Sequence, residues 1–120
     1  MFKKSLLQIP AFTAGDATQI REWLHPKNDG VDLPYSVAFA ELEPGTASLP
    51  HILQTRTEVY LVLEGEGVAY MGGQAQTMQP NDLILIPAGV EQYVENVGDT
   101  VLKFICIVSP PWSKEDEMVY

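Results

Sequence analysis

The chain has 120 residues, a formal net charge of -9 and 46% apolar residues. That length suits one domain and leaves little room for a second. The acidic excess repels phosphate and so excludes nucleic acid as an expected partner, and no apolar run approaches the length of a membrane span.

Cys106 is the only cysteine, so no internal disulfide can form. That fits a reducing compartment. The start, Met1 to Pro10, superficially resembles a signal peptide, but its apolar stretch is short and is broken by Gln8 and Pro10. The expected setting is the cytoplasm, with no membrane partner.

Residues 1–34 are the least regular third and read as an N-terminal arm of the same domain. Within it, residues 20–24 are a short strand or a helical turn, ended by Pro26. Asn28-Asp29-Gly30 signals a turn. His25 reads as a surface residue. Such an arm can pair with a sheet edge or with a second subunit. Its Trp23 and Leu24 need cover, and from this a homodimer is expected.

From Tyr35 the pattern becomes strand-like. Strands are predicted over 36–42, 58–63, 68–71, 75–78, 82–86, 91–95 and 101–108. Each is bounded by glycine, proline or asparagine turns, such as Glu43-Pro44-Gly45 and Asn96-Val97-Gly98-Asp99. Short strands with such turns predict an all-β sandwich or barrel over 35–110. Residues 111–120 read as a C-terminal tail. Their acidic run reads as a solvated end, and Trp112 as an anchor onto the barrel or a partner.

Two stretches organise this pattern. Gly45, His51, Glu58 and Gly65 lie in the first, and Pro87, Gly89 and Asn96 in the second. Their spacing resembles the two sequence motifs of the cupin superfamily, across roughly residues 36–108. The resemblance implies a double-stranded β-helix, or jelly-roll barrel. It also implies a divalent metal held inside the barrel by three His and one Glu. Here His51 and Glu58 keep two of those positions, while Leu53 and Gln92 stand where the other two His belong. Leu53 cannot bind a metal, and Gln92 offers only a weak carbonyl oxygen. His51, Glu58 and Gln92 are therefore the candidate metal ligands, for one ion of zinc, nickel, iron or manganese. Asn81 replaces a motif glycine, and its turn should need positive φ, which Asn tolerates.

Strand alternation tests the same residues independently. If Glu58 points inward, so do Tyr60 and Val62. Gln92, Val94 and Asn96 share a face, and so do Leu102, Phe104, Cys106 and Val108. The strands flanking residues 96–101 are expected to pair as a hairpin, which sets Phe104 or Cys106 opposite Gln92. His51, Glu58, Tyr60, Gln92, Phe104 and Cys106 are thus the candidate ligand-binding residues. Each also has a plainer reading. His51 and Glu58 can simply pair with each other, Gln92 can be a pocket wall, and Cys106 a small buried residue. Tyr60, Tyr70 and Phe104 can be core or wall.

Two functions fit. One is a small cupin binding a small polar ligand, with or without a metal. The other is a metal-dependent cupin enzyme, an oxygenase or isomerase.

Overall fold

Buried and exposed side chains alternate along the long strands, and this alternation builds the two inner faces of the barrel. The computed structural model of the chain describes residues 1–120. Its strands are β1 (Phe12–Thr13), β2 (Gln19–Leu24), β3 (Ser36–Leu42), β4 (His51–Leu53), β5 (Thr57–Glu64), β6 (Gly67–Met71), β7 (Gln74–Met78), β8 (Leu83–Ile86), β9 (Glu91–Asn96), β10 (Leu102–Ser109) and β11 (Glu117–Val119). One short helix, α1 (Pro26–Asp29), follows β2. No helix is long and apolar enough to cross a membrane.

The strands form two antiparallel sheets. One runs β1-β2-β3-β10-β5-β8 and the other β11-β4-β9-β6-β7. From β3 to β6 the chain changes sheet at every step, as a jelly roll does. Leu42, Tyr60, Val62, Met78, Ile86, Val94, Leu102 and Phe104 fill the space between the sheets. Each fully buried large apolar side chain stabilises the fold by roughly 1.5–3 kcal/mol. Asn81 holds a φ of 77°, as its place in the motif requires.

Three expectations are corrected. First, β9 and β10 do not form a hairpin: β9 pairs with β4 and β6, and β10 with β3 and β5. The cause is Asn96. Its side-chain amide donates to Leu42 O and Thr100 O, each at 2.8 Å, and its Oδ1 accepts from Gly98 N–H at 2.9 Å. These bonds carry the chain across to the other sheet.

Second, the tail is not a solvated end. β11 pairs with β4, and Asp116 is buried, accepting from Thr55 N–H at 3.0 Å and Thr55 Oγ1–H at 2.6 Å. Arg56 lies 3.4 Å from the same carboxylate. Burial pushes that carboxyl's pKa up, but the Thr55 hydrogen bonds and the Arg56 charge outweigh it and hold the pKa below the usual range.

Third, His25 is buried. Its Nδ1 accepts from Lys27 N–H at 3.1 Å, which caps α1, and that leaves Nε2 to donate to Trp112 O at 2.8 Å. The same bond ties arm to tail.

The arm folds onto its own barrel. β2 pairs antiparallel with β3 at the sheet edge. Arg21 pairs with Glu41, Lys4 with Asp29, and the Trp23 indole donates to Lys4 O at 2.9 Å. Tyr70, read as core or wall, instead stacks on Tyr93 with ring centroids 4.4 Å apart, and both rings are only partly buried.

Candidate functional site

At one end of the barrel the inner faces part around a cavity of about 180 Å³. The barrel supplies His51, Glu58, Tyr60, Phe104 and Cys106 to its wall. The β1–β2 turn adds Asp16 and Thr18, and the tail adds Trp112 and Glu117. Strand parity explains the barrel's share: Glu58 and Tyr60 on β5, and Phe104 and Cys106 on β10, all point inward.

His51 opens β4 and is buried. Its Nδ1 lies 2.8 Å from Leu49 O, so that nitrogen carries the proton and donates. Nε2 then faces Asp16 Oδ2 at 3.6 Å, too long for a hydrogen bond but close enough for charge to act. The alternative in which His51 and Glu58 pair with each other is not formed at ion-pair distance; Asp16 takes the place beside the imidazole. Asp16 is held there by its own turn. Its backbone carbonyl accepts from Leu49 N–H at 2.6 Å, its Oδ1 accepts from Thr18 N–H at 3.1 Å, and Ala17 takes a φ of 73°.

Glu58 is 8% exposed. Burial raises its pKa from 4.5 to about 7; nearby His51 and a hydrogen bond from Gln92 oppose the rise, and the charges of Asp16 and Glu117 add to it. A carboxyl that changes charge near neutrality can give or take a proton at ordinary pH. Burial, and then the Glu58 charge, push the Tyr60 hydroxyl well above its usual range. The same two causes push the Cys106 thiol well above its usual range, so with no cation beside it the thiol holds its proton and is a poor nucleophile.

Gln92 does not line the cavity. It sits behind the wall, 2% exposed, and its Oε1 accepts a hydrogen bond from Tyr60 O–H. The same side chain opposes the rise that burial causes in the Glu58 pKa. Tyr60 is fixed from its other side by Phe104, edge to face with centroids 5.1 Å apart.

These roles bear on the metal that the motif implies. The carbonyl oxygen expected to bind an ion already accepts from Tyr60, and Leu53 is buried and apolar. No three His, Cys, Asp or Glu side chains are arranged to hold an ion. The residues present do not fit the metal site that the motif implies.

Asp16, Trp112 and Glu117 were not legible as site residues. Gly15-Asp16 looks like an ordinary turn, and Glu117 belongs to what reads as a solvated run. No motif position points to any of them.

Comparison with known proteins agrees with this architecture. The Cupin domain family model matches residues 38–108. An uncharacterised protein of Methanocaldococcus jannaschii is 34% identical over 109 residues, covering 91% of this chain and 86% of that protein. The oxalate-binding protein of Thermotoga maritima is 29% identical over 68 residues, covering 57% of this chain and 56% of that protein. The solved structure of a Streptomyces nucleoside dehydratase superposes with a TM-score of 0.81 at 18% identity, covering 100% of this chain and 91% of that one; at that identity the likeness concerns fold alone. Family match, sequence relative and jelly-roll topology coincide on the same strands, and the chain belongs to the cupin family.

Proposed function

We propose that this protein binds a small polar ligand directly through side chains in the barrel cavity. One observation carries the reading: behind the wall of the cavity, Gln92, the residue that should complete a metal site, is instead committed to Tyr60. A cavity of about 150 Å³ is known to hold a benzene-sized molecule, so the space here takes a ligand of similar bulk. His51 Nε2, Glu58 and Asp16 would orient it.

The other reading is a metal-dependent oxygenase or isomerase using His51, Glu58 and Gln92. It needs Gln92 to release Tyr60. Elemental analysis of protein purified without an affinity tag separates the two. The expected result is well below one equivalent of zinc, nickel, iron or manganese. Gln92→His restores the motif ligand but breaks the bond to Tyr60. In calorimetry it is expected to leave zinc affinity within a few-fold of wild type. A gain of about a hundredfold or more, the scale that a metal site's supporting contacts can reach, would show that the three side chains converge after all.

A homodimer is part of the proposal. The arm pairs with its own barrel through β2 and the Trp23 indole, yet it leaves Phe2, Leu7 and Phe12 exposed at 51%, 92% and 50%. A second open apolar surface lies on β5 and β8. Leu83 is 62% exposed and Leu85 56%, with Leu63 beside them at 44%. β8 is also an edge strand with unpaired backbone. A second copy of this chain fits that surface, because two-fold symmetry lets identical antiparallel edges meet. Light scattering at micromolar concentration should give the dimer mass, and Leu83→Lys with Leu85→Lys should give the monomer. A monomeric wild type removes the dimer from the proposal.

A further inference from the structure

The cavity wall carries an unusual charge pattern. Asp16, Glu22, Glu58 and Glu117 contribute four carboxyl groups, and the only basic residue lining the cavity is His51. No lysine or arginine reaches the wall. With Glu58 ionised, the lining keeps a net negative charge even when His51 is protonated.

Glu58 states the imbalance most clearly. It is more than nine-tenths buried, it lines the cavity, and no lysine, arginine or histidine pairs with it at ion-pair distance. A buried carboxylate without a counter-charge is costly, and a ligand that brings a positive charge relieves that cost. The remaining wall is aromatic: Phe12 and Trp112 at the mouth, Tyr60 and Phe104 deeper in. The Trp112 indole donates to Glu117 Oε2 at 2.6 Å, which sets an aromatic ring beside a carboxylate. Aromatic faces together with carboxylates attract organic cations by the ring quadrupole and by charge. They repel anions. A neutral polyol can donate its hydroxyl protons to these acids but brings no charge to offset theirs.

Resting on the reading of this cavity as a ligand site, we infer that the ligand class is a small organic cation, an alkylamine or quaternary ammonium compound, held between the Glu58, Asp16 and Glu117 carboxylates and the rings of Trp112 and Phe12. This contrasts with the dianion named for the Thermotoga maritima relative.

The test uses the full chain and three probes of similar bulk: choline, its uncharged carbon isostere dimethylbutanol, and oxalate. Calorimetry and the Trp112 indole resonance report binding. Choline is expected to bind at least about tenfold more tightly than dimethylbutanol, the scale of a desolvated cation–π contact with added charge. Its affinity should fall as salt is raised. Glu58→Gln and Glu117→Gln, each checked for native circular dichroism, should each weaken choline severalfold and leave dimethylbutanol unchanged. Two variants are used so that a folding defect in one does not decide the result. Equal or tighter binding of dimethylbutanol or oxalate overturns the cation inference while leaving the cavity as a ligand site. Silence from all three probes overturns both.

Discussion

Replacing Glu58 with Gln is expected to raise the free energy of unfolding near pH 8 by about 3 kcal/mol and to leave it unchanged near pH 4. Glu58 keeps its proton up to about pH 7 in the fold, against 4.5 as the ordinary value. Below the ordinary value both folded and unfolded chains hold the proton, and the group has no differential effect. Between the two values the folded chain binds more protons than the unfolded one. Stability therefore falls as pH rises through this window and levels off above it. Gln cannot ionise and keeps the shape and the hydrogen bonding of the protonated acid, so the variant escapes the loss. Urea unfolding of both proteins across this range, compared as a difference, isolates the residue from Asp29 and Asp116. Those two acids have lowered pKa values and act in the opposite sense, losing stability as pH falls. Parallel curves for wild type and variant would mean that the buried carboxylate is compensated in the folded protein by a cation it carries in solution.

Gly65→Ala is expected to destabilise the fold by about 3 kcal/mol or more. Gly65 ends the first motif with a φ of 87°, and a Cβ there would lie 2.9 Å from both Leu102 Cα and Val101 O. Those are backbone atoms at the start of β10, and they cannot rotate away. Gly73 supplies the control, with a φ of 81° but nothing within 4 Å of an added Cβ. Gly73→Ala should lose only the backbone strain, about 1–2 kcal/mol. Equal losses from the two variants in denaturant melts would show that the close approach at Gly65 carries no weight.

The inner faces of the barrel were legible because they need only a period of two. Once Glu58 is taken as inward, Tyr60 and Val62 follow, and the same rule places Phe104 and Cys106 without any knowledge of pairing. Pairing itself was not legible. Whether β9 turns back on itself or crosses to the other sheet depends on what Asn96 bonds, and one of its partners, Leu42 O, lies 54 residues away. The tail failed for a similar reason. Asp116 looks like one solvated acid among several until Thr55, 61 residues earlier, meets it. The site divides along the same line. His51, Glu58 and Tyr60 come from motif spacing and parity, whereas Asp16 and Glu117 reach the cavity only through the folding of the two flanking segments. Gln92 was found by its motif position but not its task, since a glutamine that binds an ion and one that holds a tyrosine look alike in a sequence.

His25 and Trp112 join the arm and the tail across the barrel end. Asp16 reaches the cavity from one side of that seam, and Trp112 and Glu117 from the other. The part of the chain that the family model matches, residues 38–108, therefore excludes the segments that close the cavity mouth. On the proposed reading, ligand preference can drift through substitutions in residues 12–22 and 112–117 while every motif position stays fixed. Two cupins with the same motif residues can then differ at the cavity mouth, and a chain reduced to residues 38–108 would keep His51 and Glu58 but lose Asp16, Trp112 and Glu117.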